Sequence, residues 1–239
     1  MPTILPALGA FVAEGPSLPE RVGTDVSRRA MDSGLDDWLL KTVRGLGTIP
    51  GRRSGGWWQL PAGRIGGWKR SCPVIIRDET ESDVEAIGEL TKTAFATLEI
   101  SEHNEQFIIE RLRADGALSV SLVAEVDGQV VGHVAFSPVT ISDGTPDWYG
   151  LGPVSVLPER QRQGIGSALI EEGLDRLKAR GGRGCLVVGH PDYYPRFGFR
   201  RLPTLTMEGV PAEVFLGLPF DATAPAGAVA FHPAFAPEL

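Results

Sequence analysis

The run Leu151 to Leu177, LGPVSVLPERQRQGIGSALIEEGLDRL, decides how the chain is read. Val154-Ser155-Val156-Leu157 is a β-branched apolar segment stopped by Pro158, the signature of a short strand. From about Gly164 the period changes, with Ile170, Leu174 and Leu177 at i, i+4 and i+7 of a helix. Between them Glu159 to Gly166 forms a polar turn holding Gln161, Arg162, Gln163, Gly164, Ile165 and Gly166. A strand, a glycine-bearing turn and a helix start together make an anion site. The first amides of a helix lack internal partners and carry the positive end of its dipole. Glycine at 164 and 166 removes the Cβ atoms that would hold a phosphate away from the backbone. The turn is neither a dinucleotide fingerprint nor a P-loop: it has two glycines and no Gly-Lys-Ser/Thr.

A second stretch follows about 25 residues later, Val188-Gly189-His190-Pro191-Asp192-Tyr193-Tyr194-Pro195-Arg196-Phe197-Gly198-Phe199. The Gln161-x-x-Gly164-x-Gly166 turn after a strand ending Val-x-Pro-Glu resembles the acetyl-CoA motif of the GNAT N-acetyltransferase superfamily. The Tyr-x-x-Phe-Gly-Phe segment resembles the end of the same fold. Within it, the chain looks like a bacterial branch of acetyltransferases with a YY-x-RFGF segment. The resemblance runs from about Val74 to the C-terminus.

The resemblance implies an α/β (α+β) fold: a mixed, mostly antiparallel central sheet flanked by helices. A parallel strand pair would splay at the acetyl-CoA site. It implies an acyltransferase that moves an acetyl group from acetyl-CoA, its co-substrate, to a primary amine of a small molecule or peptide. Backbone amides from Gln161 to Gly166 would hold the pyrophosphate, with Arg162 adding charge. Many relatives carry glycine where this chain has Arg162, a departure that matters only if that backbone needs a positive φ; we expect Arg162 to point outward. Val154, Ser155 and Val156 would expose backbone groups to the peptide-like pantetheine arm, as to an added strand. Tyr194 would protonate the leaving thiolate, a general-acid step worth about 10²–10⁴-fold, with Tyr193 as packing. The base is less defined. Asp147 lies before the central strand, and His190 stands where relatives often have an acid; His190 fits a base near neutral pH or a cap for the following helix. Two other classes remain open, a non-catalytic acyl-CoA-binding module and an interaction protein on the same scaffold.

Composition bounds these readings. The 239 residues hold 42% hydrophobic side chains, enough for a core. A net charge of −7 argues against a general nucleic-acid binder. Cys72 and Cys185 form no CxxC pair, which favours a reduced, cytoplasmic setting. No run approaches the ~18 apolar residues of a membrane span, and the opening Thr3–Ala13 lacks a preceding basic residue for a signal peptide. His103, His133, His190 and His232 show no metal-ligand spacing, so no metal is expected. A homodimer is left open.

Residues 1–72 stand apart. Glycine and proline account for 18 of them, and Trp38, Trp57, Trp58 and Trp68 fall here. They carry 10 basic and 6 acidic residues, against 13 and 24 in the remainder. Without a hydrophobic period beyond a short helix at Leu35–Val43, they read as a disordered or over-extended N-terminal segment rather than a domain. A basic aromatic arm for a partner is the alternative. The acetyltransferase domain is expected over 73–239.

Its fold begins at Cys72–Arg77, an apolar strand. Ser82-x-x-Glu85 reads as a capping box before a helical stripe from Val84 to Leu98. A second helix is expected from about Glu102 to Ala114, and Asp127-Gly128 between the alternating apolar runs Ser119–Val126 and Gln129–Ile141 signals a hairpin. Trp148–Leu157 is the central strand, Gly164–Arg180 a helix stopped by Gly181-Gly182, and Gly184–Gly189 a parallel partner strand. A short helix at Asp192–Phe197 and a strand opening at Phe199 follow. A last strand falls within Val210–Leu218, and Gly227–Phe235 closes the chain.

Overall fold

The computed structural model describes residues 73–96, 104–222 and 225–236. The readings for residues 1–72, including their extent as a separate segment, lie outside these residues.

The chain begins with an edge strand, β1 (Ile75–Asp78), and a turn that starts helix α1 (Val84–Phe95). The cap differs from the expected Ser82/Glu85 box. Asp83 takes the N–H of Thr80 at 2.8 Å and its hydroxyl at 2.7 Å. The same carboxylate receives both Arg77 Nη atoms, at 2.7 and 2.9 Å, while Arg77 Nε donates to Glu125. A charged partner five residues upstream of the predicted cap, Arg77, thus moved the cap itself, since a bidentate guanidinium outweighs a neutral hydroxyl.

Helix α2 (Glu105–Ala114) precedes the hairpin of β2 (Val120–Val126) and β3 (Gln129–Pro138). Asp127 and Gly128 have φ of 54° and 77°, the positive pair that a type I′ turn needs, and Val126 pairs with Gln129 directly across it. The expected second arm ends at Pro138; Thr140–Ile141 leaves as β4 for another sheet. The central strand β5 (Trp148–Val156) leads into helix α3 (Ile165–Ala179) and then β6 (Gly184–Val188). Short strands β7 (Leu205–Thr206), β8 (Phe215–Pro219) and β9 (Gly227–Ala230) finish the fold. The strand expected at Phe199 is reduced to a single bridge, Arg200 to Gly217.

The main sheet runs β1-β2-β3-β5-β6-β8, and β4-β9-β7 form a small second sheet. Within the main sheet every pairing is antiparallel except β5 with β6. This is the mixed, mostly antiparallel sheet flanked by helices that the sequence implied.

The two faces differ in character. On one face α3 lays Ile165, Leu169, Ile170 and Leu174 against Val134, Phe136, Val154 and Val156. Close approach there needs small residues: a Cβ on Gly173 would meet the Phe136 ring at 2.2 Å. On the other face α1 and α2 bring Ile87 and Ile109 against Val123. That face also carries buried polar residues, including Ser121, His133 and Ser155. No helix among the described residues is long and apolar enough to cross a membrane.

Candidate active site

Strands β5 and β6 pair only from Trp148↔Gly184 to Gly150↔Leu186. Beyond that β5 runs on from Leu151 to Val156, while β6 continues against β8 through Val187↔Leu216 and Val188↔Phe215. The parallel pair therefore parts, and β5 keeps an edge of peptide groups without a β6 partner. Part of the cause lies on its other edge. Val134 pairs with Val154 but Phe136 with Leu151, so Gly152 and Pro153 sit opposite the single residue Ala135. A bulge of this kind bends the strand and raises its twist. Val154, Ser155 and Val156 are wholly buried, main chain included, and on this edge their peptide groups lack a β6 partner.

Immediately after β5 the predicted turn is braced from within. Leu157 N–H donates to Val131 O, and Pro158–Arg160 make one 3₁₀ turn. Gln161 Nε2 donates back to Val156 O at 3.1 Å, and Gln163 Nε2 to Glu159 O at 3.1 Å. The two glutamines thus shape the loop with their side chains, and the Gln161 amide closes the 3₁₀ turn by donating to Pro158 O at 3.4 Å. Arg162 has φ 60° and Gly164 φ 82°. The expectation that Arg162 need only point outward is incomplete: its backbone occupies the left-handed region, where an L side chain is disfavoured. Gly164 is the N-cap of α3, and an added Cβ there would meet nothing within 4 Å. The first intrahelical bond runs from Ala168 N to Gly164 O, so the amides of Ile165, Gly166 and Ser167 precede it. A shallow, open, positively polarised cradle therefore lies where β5 parts from β6, and it fits a phosphate.

Tyr193 and Tyr194 lie just beyond β6, at the start of a 3₁₀ turn, Tyr194–Phe197. Tyr194 is 1% exposed and packs edge-on against Tyr193 and Phe199, at ring-centre distances of 5.2 and 5.7 Å. Burial holds its phenol well above the ordinary value, with further upward pressure from Tyr193 and Cys185. The Tyr193 hydroxyl lies 3.4 Å from Ser167 Oγ in the first turn of α3, and Arg196 stacks on its ring at 4.3 Å. Both rings pack, and Tyr193 is the one whose hydroxyl meets α3.

The two proposed bases are placed differently. His190 is half-buried and its Nδ1 accepts the N–H of Asp192 at 3.3 Å, while its carbonyl accepts from Tyr193. This is the capping alternative, realised in the turn after β6. Asp147 is exposed and precedes β5, at the end opposite the glycine turn. Nine strand residues at about 3.3 Å each separate it from that turn by roughly 30 Å. Asp147 thus lies far from the turn, one residue before the first β5–β6 pair.

A buried polar cluster that the sequence reading passed over lies on the α1/α2 face. Glu79 Oε1 and Oε2 receive Arg113 Nε and Nη2 at 2.9 and 3.0 Å. Ser121 Oγ donates to Glu79 Oε2 at 2.6 Å and lies 2.9 Å from His133 Nε2. Burial alone would raise the Glu79 carboxyl; hydrogen bonds from His133, Arg113 and Ser121 outweigh it and bring the pKa to about 2. His133 is wholly buried, and burial lowers its pKa against the opposing pull of Glu79. Its signal in the sequence was register: alternation along Gln129–Pro138 puts a histidine at an inward position that an apolar residue would ordinarily fill. Among the described residues no cluster of His, Cys, Asp and Glu could hold a metal ion.

Residues 84–199 match the family model described as acetyltransferase (GNAT) family. The chain is 37% identical over 127 residues to the uncharacterized N-acetyltransferase YhbS of Escherichia coli strain K12, covering 53% of this chain and 73% of that protein. Among solved structures it is similar to a GNAT family acetyltransferase from Brucella melitensis in complex with acetyl-CoA, with 47% identity and a TM-score of 0.62. That likeness covers 68% of this chain and 98% of the other. The Escherichia coli YhbS structure in complex with CoA gives 32% identity and a TM-score of 0.63, covering 69% and 92%. The family model and the relatives together define an acyltransferase of the N-acetyltransferase class. The chain belongs to the acetyltransferase (GNAT) family.

Proposed function

We propose that the chain transfers an acetyl group from acetyl-CoA to a primary amine of a small molecule or peptide, releasing CoA. The observation that carries this is the coincidence of two features at one place: the β5 edge left bare from Leu151 onward, and the open amide cradle of Gln161–Gly166 at the start of α3. The cradle suits a pyrophosphate. The bare edge suits the amide-bearing pantetheine arm, through the backbone of Val154, Ser155 and Val156. The similar structures crystallised with acetyl-CoA and with CoA support acetyl-CoA as the co-substrate.

In this reading the amides from Gln161 to Gly166 hold the pyrophosphate and Arg162 adds a positive charge. Tyr194, kept protonated by burial, gives its proton to the leaving thiolate. His190 shapes the turn beneath the two tyrosines, and Asp147 takes no part in the chemistry. Residues 73–239 form the working unit, and residues 1–72 contribute nothing to acetyl-CoA binding. Use of acetyl-CoA places the protein in the cytoplasm.

A second reading, acyl-CoA binding without transfer, draws on the burial of Tyr194, since a phenol sealed in the core reaches no thiolate. One experiment separates them. Calorimetry with acetyl-CoA establishes binding, and CoA release is then followed across a panel of primary amines and amino-terminal peptides. We expect micromolar binding and amine-dependent release. Tight binding with no release above hydrolysis supports the second reading, and absence of binding removes both.

A further inference from the structure

The proton that leaves the acceptor amine needs a destination, and the hydrogen bonds around His133 specify one. Glu79, with its pKa near 2, is an acceptor only at neutral pH. Ser121 has a single proton and gives it to Glu79 Oε2 at 2.6 Å. The contact between Ser121 Oγ and His133 Nε2, 2.9 Å, must then be donated by the ring. The neutral imidazole therefore carries its proton on Nε2, and Nδ1 is a bare lone pair. That Nδ1 is buried and has no hydrogen-bond partner. An unsatisfied buried acceptor is destabilising, so the site calls for a proton donor that the protein does not supply.

Register places this lone pair close to the candidate site. His133 pairs directly with Ser155, on the strand whose edge is bare. Two residues along β3, Ala135 stands opposite the bulge at Gly152 and Pro153; two further on, Ser137 pairs with Gly150. Ser137 Oγ is likewise buried and without a partner. Two unmatched polar atoms on one face of β3 thus bracket the bulge where β5 leaves β6, with only the methyl of Ala135 between them. The α3 face is filled by apolar side chains, so an acceptor meets the thioester from the His133 face.

We propose that His133 is the proton acceptor of the acetyl transfer, its Nδ1 drawing the proton from the amine through a water held at the bulge. The inference rests on the acetyltransferase reading above. The ammonium gives one proton to that water as the water gives one to Nδ1. The freed lone pair forms the N–C bond to the acetyl carbonyl, the C–S bond breaks and CoA leaves as a thiolate that takes the Tyr194 proton. The second proton of the newly acylated nitrogen passes through water to the Tyr194 phenolate and leaves a neutral amide. The imidazolium is held by the ionised Glu79, directly at 3.6 Å and through Ser121, with Arg113 limiting the net charge. This is the arrangement in which a carboxylate orients a histidine and steadies its charged form. The charged groups facing His133 are Glu79 and Arg113; α1 and β5 present the hydroxyls of Thr91 and Ser155.

The test uses the full chain, acetyl-CoA and the best amine of the panel, with acetyl-CoA hydrolysis as the probe if none is accepted. Long-range ¹⁵N spectra of the parent report the tautomer: we expect a protonated Nε2 and a bare Nδ1. His133→Gln keeps a donor toward Ser121 but has no base, and should lower kcat by about 10²-fold or more with acetyl-CoA affinity unchanged. Glu79→Gln removes the charge that raises the His133 pKa. The acid limb of the kcat profile, set by neutral His133, should therefore move to lower pH as the plateau falls. A protonated Nδ1, parental turnover in His133→Gln, or an unmoved acid limb in Glu79→Gln each overturns the proposal while leaving acetyl transfer intact. A parent that neither binds nor turns over acetyl-CoA overturns both.

Discussion

Ser155 on β5 lies directly opposite His133 on β3, and its hydroxyl donates to Thr91 on α1 at 3.1 Å. Both side chains are wholly buried, so a polar seam runs from helix to sheet through the strand whose edge β6 leaves unpaired. The seam ties α1 to the bulge. It makes the geometry of the parting strands depend on residues far from them in sequence.

Gly164 tests the cradle. Its φ of 82° and the open space at its missing Cβ mean that Gly164→Val puts branched carbons where a phosphate oxygen belongs. The left-handed backbone costs about 1–2 kcal/mol in stability, and the fold survives. The acetyl-CoA dissociation constant should rise by about 100-fold or more in calorimetry. Parental affinity in this variant means the pyrophosphate sits elsewhere.

Arg162 carries strain that glycine would relieve. At φ 60°, Arg162→Gly removes about 1–2 kcal/mol of left-handed cost, partly offset by about 0.4–1 kcal/mol of added unfolded-state entropy. The melting temperature should rise by about 1–4 °C, while acetyl-CoA binding weakens severalfold and loses part of its salt dependence. Arg162→Val should melt lower than the parent. A glycine variant that melts lower too would show that the side chain's contacts outweigh the strain.

Tyr194 and Tyr193 can be told apart by single hydroxyls. Tyr194→Phe should reduce kcat by about 10²–10⁴-fold with little change in acetyl-CoA affinity, since the lost contact belongs to the transition state. The ring stays, so packing on Tyr193 and Phe199 holds. Tyr193→Phe should cost far less. Reversal of this order assigns the acid to Tyr193, whose hydroxyl reaches Ser167.

Glu79 makes stability depend on pH. Its folded pKa of about 2 lies below the ordinary 4.5, so its contribution is full above about pH 4.5 and is lost as pH falls toward 2. The shift corresponds to about 3 kcal/mol. Urea unfolding at pH 7 and pH 3 should show a larger loss in the parent than in Glu79→Gln, which starts lower at pH 7. Equal losses in the two proteins would remove the carboxylate from this role.

The proposed independence of residues 73–239 has a direct consequence. A chain starting at Ser71 should match the full chain in melting temperature and acetyl-CoA affinity. A lower or uncooperative melt assigns the N-terminal segment a packing role.

The β5–turn–α3 unit was legible in the sequence because its determinants are local. Pro158 ends a β-branched run, glycine supplies the N-cap of α3, and Gly181-Gly182 stops it, each within a few residues of the feature it fixes. The Asp127-Gly128 hairpin was legible for the same reason. The positive φ of Arg162 was not, because a residue that dislikes a conformation gives no local sign that its surroundings impose it. Nor was the cap of α1, where Arg77 on β1 recruited Asp83 across a turn. Asp147 and His190 sit near the motif in sequence, yet one lies at the far end of β5 and the other is spent on a turn. His133, Ser121, Glu79 and Arg113 come from four separate segments and meet only when β1, β2, β3 and α2 pack. Sequence alone therefore determined the elements and the glycine turn before α3, through short-range sterics and period. Only the tertiary structure decided which charges share a buried site, because burial and hydrogen bonding there depend on strand register, which no local pattern records.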